Sequence, residues 1–523
     1  MVKKQFARAF RGAAVLAFAI TALSLSAQSI AQGADQGSPP AVSSDQSDDA
    51  LFGQPETVAP AATSSKEAEG QSSFLKYDQV KVGGTFTGTM GFTSVYSDAW
   101  GGGSGSLAKV FNPAQDYLSP QADGYVTITA KPTTDFGVNM EFRTSWPYYT
   151  TDNVLENATN PLTGNVVQTS TSITIPDIDV WALYAKFNWQ DKVYFTAGKQ
   201  PISWGVSKGA FQPADDIFAS SASIDLTDTS AQREGPLALK TTIPLGVTNN
   251  LYFYAGLPTS SGSNNSALAL TATGSTSTVD VDPADTRLAV KGEYGFGNTE
   301  LALAGYYSYN DHPRALFMGT TSLGSWNIYG EAILKYGSQR YFINTTPATL
   351  ANPLGLTGAQ QSDQLYFTGT FGGYYTDADS GLTLMAQYLY NGEGQTAVSA
   401  KDALMYYLSS ANSSEYDSIK LGTHYGFVSI SDSNLWSSTL GKDKLGASLI
   451  VISNLSDFSG YVMPSVSWTF FDYVILKVGA LLNFGQSGDE YITYGVGQSL
   501  ASGLPTTAGA ALTASLTIGT GSF

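Results

Sequence analysis

The sequence contains no cysteine and only two histidines, His312 and His424, among its 523 residues. The lack of cysteine excludes disulfides, thiolate zinc sites, thiol catalysis and a lipid anchor attached through cysteine. Two imidazoles leave little for histidine acid–base chemistry or for transition-metal binding. We therefore expect no cofactor, no metal site and no catalytic residue.

Charge is also scarce. Charged residues make up 13% of the chain, against about 25% in ordinary soluble domains. The net charge of −17 argues against nucleic acid as a partner, because such binding requires phosphates to be neutralised. The abundant tyrosine, phenylalanine and glycine favour strands and tight turns over helices.

Long apolar runs are missing from the interior of the sequence, so the run of about 18 apolar residues that a membrane-spanning helix needs is not found. A membrane β-barrel needs no such run, because only alternate residues of each strand face lipid. The informative pattern is therefore the one with a period of two.

Residues 1–31 have the organisation of a secretory signal peptide. An apolar stretch over residues 12–25 ends shortly before Ser29-Ile30-Ala31, which has the small-x-small pattern of a cleavage site. The positive charges that precede the stretch are Lys3, Lys4, Arg8 and Arg11. An uncleaved membrane anchor is the alternative, and the short apolar stretch disfavours it.

Residues 32–74 form a low-complexity linker rich in Pro, Ser and Ala, with Lys66 as its single base among several acids. Such a composition cannot bury enough apolar surface to fold alone, so we expect disorder. Its apolar island, Leu51-Phe52-Gly53, could dock elsewhere or plug a lumen; an undocked tail is the simpler interpretation.

From residue 75 to residue 523 the pattern is strand after strand. In 136–146, Phe136, Val138 and Met140 share one face, whereas Asn139 and Glu141 lie on the other. Several later strands repeat this arrangement. The charged residues of the polar rows, which we expect to face a lumen, are Glu141, Arg143, Lys186, Arg287, Lys291, Glu293, Glu331, Lys335 and Lys477. They could line a transport path or simply keep the wall wet, and the second interpretation is the simpler.

Two further features distinguish a membrane barrel from a soluble sandwich. Aromatic residues mark the strand ends, as in the girdles at bilayer interfaces: Trp146, Trp181, Trp189, Tyr307, Tyr309, Tyr388, Tyr390, Trp468 and Phe470. Connections also alternate between tight turns and long loops. The turns are 131–135, 297–298 and 471–472, and the long loops are 97–120, 147–176, 258–284, 337–363 and 392–443.

These patterns predict an all-β fold, a single large antiparallel transmembrane barrel of about 16 strands, with a range of about 14 to 18. A barrel of roughly that size is wide enough for an aqueous channel. The chain ends in Phe523, as do barrels inserted by the outer-membrane assembly machinery. The apolar residues Leu512, Ala514, Leu516 and Ile518 have the opposite parity, so either a bulge resets the register or the terminal Phe is coincidental.

The most distinctive segment spans 198–218. It resembles porin-like outer-membrane proteins, including anion-selective and polysaccharide-export porins and uncharacterised barrel families. Those proteins share Gly-Arg/Lys-Gln, then Trp-Gly, then a Pro-x-Asp segment that folds inward. The matching residues are Gly198, Lys199, Gln200, Trp204, Gly205, Pro213, Asp215 and Phe218. The match covers some twenty residues; Lys199 replaces the commoner Arg, and Asp216 adds a second acid.

This resemblance implies a constriction inside the barrel. Charges of both signs at a narrow point set solute selectivity. The candidate constriction residues are Lys199, Trp204, Lys208, Asp215, Asp216, Arg233 and Glu234. An equally good interpretation is a structural brace whose Trp packs against the wall and whose charges form solvated pairs.

The function that we predict is an outer-membrane, porin-like channel for passive or weakly selective diffusion of small hydrophilic solutes. The expected partners are outer-membrane lipid, the barrel-assembly machinery, the solutes and possibly further copies of the chain. One alternative is a surface adhesin that binds through its long external loops. A barrel phospholipase is a weaker alternative, because His312 and His424 are the only histidines available as a base.

Overall fold

The structure is a computed structural model of the chain. Its strands, short helices and the loops between them are described for residues 79–95, 117–146, 150–159, 166–175, 178–218, 235–257, 283–350, 352–377, 379–400, 402–403, 406, 421–441, 444–471, 474–486, 488–493 and 509–522. The predicted signal peptide and linker, residues 1–74, lie outside this part of the chain, as do Arg233, Glu234 and Phe523.

The described residues form twenty strands. They are β1 Val80–Val95, β2 Tyr117–Thr133, β3 Phe136–Trp146, β4 Thr150–Thr159, β5 Val166–Ile175, β6 Ile178–Trp189, β7 Val193–Lys199, β8 Leu237–Pro244, β9 Asn250–Leu257, β10 Arg287–Phe296, β11 Thr299–Ser308, β12 Asp311–Leu323, β13 Trp326–Thr345, β14 Leu356–Asp377, β15 Leu382–Asn391, β16 His424–Asp432, β17 Leu445–Asn454, β18 Ser459–Phe471, β19 Val474–Phe484 and β20 Gly509–Ser522.

Eighteen of these strands close into one barrel. Each barrel strand pairs antiparallel with the next barrel strand along the chain, and the last strand, β20, pairs with the first, β1. β4 and β5 form a separate two-stranded sheet between β3 and β6. The predicted fold class, a single large antiparallel barrel, is confirmed, with a strand count at the upper end of the predicted range.

Four predicted loops contain strand residues. The segment 392–443 includes all of β16, and the segment 147–176 includes all of β4 and β5. The segment 337–363 includes the far ends of β13 and β14, and the segment 97–120 includes the start of β2. Between β13 and β14 the pairing shifts register near Ser338. Such a bulge locally bends the pair and increases its twist.

The outer face of the barrel is an apolar belt. Cross-strand partners share a face, so the pairing of Phe86 with Ile518 and of Leu303 with Phe317 extends one row around the ring. Leu303 is 67% exposed and Phe371 is 64% exposed, with no described protein layer covering them. Other exposed members of this belt are Phe86, Met90, Val126, Leu183, Phe187, Leu239, Phe253, Val290, Phe317, Leu334, Val428, Val466, Val478 and Leu516.

Aromatic side chains extend the exposed apolar surface at the strand ends. Trp146, Trp189 and Tyr309 are all exposed. Trp181 does not join them, although its parity in the sequence suggests it. The β3–β6 pairing shifts register at this position. The Trp181 ring lies 3.7 Å from the guanidinium carbon of Arg143, which belongs to the inner row, the row of side chains on the lumen side of the wall. The prediction for Trp181 was therefore wrong, because a bulge resets the alternation.

A register shift also occurs near the end of β20. Phe86 of β1 pairs with Ile518, but Gly84, two residues earlier, pairs with Gly521, three residues later. The extra residue in β20 places Gly521 on the same outward face as Leu516 and Ile518, although its position in the sequence is odd and theirs are even. Of the two explanations for the terminal phenylalanine, the described pairing supports the bulge.

Helices are short. Two α-helices are described over their full length, α1, Ser437–Leu440, and α2, Glu490–Thr493. No helix among the described residues has the length and apolar character needed to cross a bilayer.

Candidate functional site in the barrel interior

The chain turns into the barrel after β7. Residues 200–218, which we call the inner loop, pack in two clusters with side chains of β8 to β13 and of β15 to β18. Only a segment that crosses the interior can reach β15 and β16 from a start at the end of β7. The inner loop therefore lies within the lumen and packs against one side of the wall.

Trp204 is the centre of this packing. Its side chain is 1% exposed, and its ring contacts those of Phe218 and Tyr254 at centroid distances of 4.9 and 5.5 Å. The indole N–H donates to the carbonyl oxygen of Ala214 at 2.6 Å. Because the ring is buried and its donor is satisfied, Trp204 fixes the two halves of the inner loop together.

Asp215 holds the turn that follows Trp204. Its Oδ1 accepts the backbone N–H groups of Trp204 and Gly205, both at 2.8 Å, and its Oδ2 accepts the hydroxyl of Ser203 at 3.2 Å. A buried carboxylate that accepts several N–H donors fixes local backbone direction. The contacts of Asp215 are therefore structural.

Glu331 of β13 anchors the inner loop to the wall. Its Oε1 accepts the N–H groups of Val206 and Ser207, each at 2.7 Å, and its Oε2 accepts that of Ala214 at 3.1 Å. A Cβ on Gly205 would lie 2.5 Å from the same Oε1. Glycine at this position therefore allows the backbone to approach the carboxylate closely.

Further residues of β10, β13 and β15 add polar anchors. Lys291 donates to the carbonyl oxygen of Trp204 at 2.9 Å, and the hydroxyl of Tyr329 donates to that of Lys208 at 2.9 Å. Gln387 accepts from the N–H of Phe211 at 3.0 Å and donates to its carbonyl oxygen at 2.5 Å. These bonds satisfy buried backbone groups of the inner loop that have no strand partner.

The predicted constriction residues separate into different environments. Trp204 and Asp215 are buried within the inner loop, Lys208 is exposed, and Asp216 is half-buried. Arg233 and Glu234 lie outside the described residues. Lys199 needs correction, because it pairs with Leu183 and Leu237, two exposed residues of the outer face. Its alternation places it on the exterior row and away from the constriction.

The nine predicted lumen-facing charges all lie on the inner row by their cross-strand pairing. Five of them form ion pairs: Glu141 with Arg143 at 2.6 Å, Lys291 with Glu293 at 3.0 Å, and Lys335 with Glu393 at 2.6 Å. Glu331 and Arg287 bind the inner loop, the latter through the carbonyl oxygen of Ile217 at 3.0 Å. Lys186 is buried, and Lys477 is half-buried opposite Ser467 and Ser515.

The wall opposite the inner loop is polar and partly exposed. β20, β1 and β2 present small hydroxyl side chains on the inner row, among them Thr85, Thr87, Thr127 and Thr517. These residues keep part of their surface exposed, whereas inner-row residues such as Met318 and Phe427 are at most 1% exposed beneath the inner loop. The interior is therefore filled on the side of β8 to β18, and polar and accessible at β20, β1 and β2.

No protein-family model and no curated protein matches this sequence. Among solved structures, the chain is similar to OccAB3 from Acinetobacter baumannii, with 7% identity, a TM-score of 0.44, and coverage of 85% of this chain and 100% of that one. It is also similar to the outer membrane protein OpdK from Pseudomonas aeruginosa, with 9% identity, a TM-score of 0.43, and coverage of 86% and 100%. For OmpF from Salmonella typhi, in complex with daunomycin, these values are 9%, 0.38, 85% and 99%. These likenesses are too distant to assign a function to the chain.

The two histidines lie apart. His424 begins β16 and contacts the hydroxyl of Tyr388 at 2.6 Å through Nδ1. His312, in β12, lies against Gly337, where an added Cβ would clash with its imidazole ring. Among the described residues, no group of three or more His, Cys, Asp and Glu side chains could hold a metal ion.

Sequence reasoning missed a buried acid at the loop end of the barrel. Glu490 of α2 accepts the hydroxyl of Tyr425 at 2.8 Å and the amide of Asn454 at 2.7 Å, and its backbone N–H donates to Asp457 at 2.8 Å. These contacts fasten the β19–β20 connection to β16 and β17. No motif marks Glu490, because its partners are 33 to 68 residues away in the sequence.

This acid predicts a pH dependence. Burial raises the pKa of Glu490 to about 7, and neighbouring Asp457 adds to the rise, although the Tyr425 hydroxyl opposes it. Because the folded-state pKa lies above the ordinary 4.5, the stabilisation is present at low pH and is lost as the pH rises through about 7. We expect the free energy of opening α2 to hydrogen exchange to fall by about 3 kcal/mol between pH 4.5 and pH 8.

Hydrogen exchange of residues 488–493, corrected for the intrinsic rate, measures this loss. Glu490→Gln should remove the pH dependence, whereas Asp402→Asn, outside this network, should keep it. An equal pH dependence in wild type and Glu490→Gln would contradict the assignment.

Proposed function

We propose that the chain is an outer-membrane channel through which small hydrophilic solutes diffuse. The observation that carries the proposal is the division of the strands into an exposed apolar outer row and a polar inner row. An apolar belt of this extent requires a nonaqueous environment, and a lipid bilayer supplies it. Polar and charged groups along the opposite row require water.

The size of the barrel supports a passage through it. Barrels of roughly 16–18 strands leave an aqueous channel, whereas about eight strands are filled by side chains. Here eighteen strands close the ring, and the inner loop fills the side formed by β8 to β18. The threonine-lined wall of β20, β1 and β2 leaves the route for solutes.

The inner loop supports weak selectivity. It narrows the lumen, exposes Lys208 and carries the half-buried Asp216, and charges of both signs at a narrow point bias the solutes that pass. The rim with the long loops would face the outside, as in other outer-membrane barrels. Insertion by the barrel-assembly machinery and association of several copies belong to the same proposal, as does removal of residues 1–31 during export.

The alternatives have less support. His424 lies on the outer row beside Tyr388, and His312 lies in β12, so a phospholipase triad would have to form around one of them. An adhesin would use the long-loop rim, and binding there is compatible with an open channel. Passive diffusion therefore explains the geometry without further assumptions.

Conductance in planar bilayers tests the proposal. Purified, refolded chain should produce stepwise current increments of uniform size, and liposomes containing it should swell in small sugars faster than in large ones. The control for adventitious leakage is the same protein without refolding. It is kept unfolded in urea and is then diluted into detergent that contains no lipid. A folded barrel that inserts but carries no current would refute the channel and favour a sealed adhesin.

A further inference from the structure

A cavity of about 340 Å³ lies between the inner loop and the wall of β12 to β15. Its position is on the long-loop side of the inner loop, because the wall residues that line it include Arg314 near the start of β12 and Arg340 near the end of β13. Its volume falls in the range of small-molecule sites, roughly 300–1,000 Å³. A solute that enters from this rim meets the cavity before it passes the inner loop.

The cavity has charged groups of both signs. Arg314, Lys335 and Arg340 supply three positive charges, and Asp216, Asp311 and Glu393 supply three negative ones. The lining is therefore formally neutral. A formally neutral lining with separated charges favours a solute that is itself neutral overall and carries both signs, because a single net charge would be left uncompensated.

The charged groups keep capacity for a ligand. Arg314 donates through Nη2 to Asp311 at 2.7 Å, and Lys335 lies 2.6 Å from Oε1 of Glu393. A guanidinium has five donors, an ammonium has three, and a carboxylate has about four acceptor positions. Each pair therefore holds its side chains in place while offering further donors and acceptors to a bound molecule.

The other side of the cavity is apolar. Phe211 and Ile217 of the inner loop face Ile333 of β13 and Leu389 of β15 around it. These four side chains are each at most 5% exposed, so their positions are fixed by packing. A ligand with an apolar group would bury that group here while its charged groups meet the polar side.

We propose that this cavity binds a zwitterionic α-amino acid with an apolar side chain. The carboxylate of the amino acid would bind Arg314 and Lys335, its ammonium would bind Glu393 and Asp216, and its side chain would contact Phe211 and Leu389. The inference rests on the proposed channel function and names a solute class for it. Binding in this cavity, on the long-loop side of the inner loop, raises the local concentration of the solute at the narrowest part of the route.

Current blockade by leucine and its single-charge analogues tests the inference. Single-channel current is recorded with leucine, with 3-methylbutylamine, which lacks the carboxylate, and with 4-methylpentanoate, which lacks the ammonium. Leucine should produce resolved blockades at a concentration about tenfold lower than either analogue, since each lost charged contact weakens binding by about that factor. Equal blockade by 4-methylpentanoate would overturn the inference in favour of a simple carboxylate site.

Variants assign the two ends of the ligand. Arg314→Gln should weaken blockade by leucine and by 4-methylpentanoate but leave that by the amine unchanged, and Glu393→Gln should weaken leucine and the amine. Lys477→Gln, on the inner row of β19 and outside the cavity, is the matched control. Unit conductance and the heat-dependent gel shift of folded barrels show whether each variant folds.

The outcomes separate the two proposals. An open channel that none of the three compounds blocks would refute the cavity as a site and leave the channel function intact. A folded barrel without conductance would refute the channel function itself; tryptophan fluorescence of the detergent-solubilised barrel titrated with leucine then tests the site. A failure of leucine to bind in that titration would overturn the inference as well.

Discussion

Replacement of Glu331 by alanine should enlarge the channel, while the ring of eighteen paired strands stays intact. The carboxylate accepts three backbone N–H groups of the inner loop, and its removal orphans all three in a buried place. Each orphaned donor costs roughly 1–3 kcal/mol, so the seated loop loses its main wall anchor. We expect a higher and noisier single-channel conductance, and faster swelling of liposomes in sugars that wild type excludes.

Two comparisons make this result specific. Glu331→Gln retains one acceptor oxygen and should have a smaller effect in the same direction. Glu141→Ala removes an inner-row acid of β3 that pairs with Arg143 at 2.6 Å and makes no recorded contact with the inner loop; the size limit for sugars should stay as in wild type. If Glu331→Ala and wild type had the same conductance and size limit, the carboxylate would not be what seats the loop.

Arginine in place of Leu303 should destabilise the barrel in lipid. Leu303 lies in the middle of β11, is 67% exposed, and pairs with Phe317 on the outer row. A charged side chain on the lipid face near the midplane costs about 2–4 kcal/mol. Reversible urea unfolding in liposomes, followed by tryptophan fluorescence, measures the difference from wild type.

The control places the same charge in the lumen. Thr127→Arg lies on the inner row of β2, where its neighbour across the strands is Glu141. There the guanidinium stays in water beside an acid, so we expect a change within about 0.5 kcal/mol. Equal losses for Leu303→Arg and Thr127→Arg would mean that the outer row does not face hydrocarbon.

The period of two predicted most of the fold because lipid and water sort the rows of nearly every strand. β16 shows where this reasoning ends. Its outer row carries Val428 and Ile430, but its inner row carries Tyr425 and Phe427, which are at most 1% exposed because the inner loop packs on them. The first half of β16 is therefore apolar on both faces, and a regular alternation is left only over the short stretch from Val428 to Ser431, so sequence reasoning assigned the segment to a loop.

The site was less accessible to sequence reasoning. The motif around Trp204 predicted a segment that folds inward, but its anchor, Glu331, is 117 to 125 residues away from the groups that it binds. No local spacing connects them. Lys199 was assigned to the constriction from its place in the motif, although its own strand carried the contrary signal, since Phe195 and Ala197 share its parity.

The attachment of the inner loop to one half of the ring has a consequence for how the channel can change. Among the described residues, its hydrogen bonds and packing clusters involve strands between β7 and β18, and the threonines of β20, β1 and β2 support none of them. The aperture is thus a crescent between the inner loop and the wall of β20, β1 and β2. The inner loop is held by many packing contacts, and the threonines of that wall take part in none of those described. Single substitutions of these threonines can therefore change which solutes pass without disturbing the contacts that hold the inner loop in place.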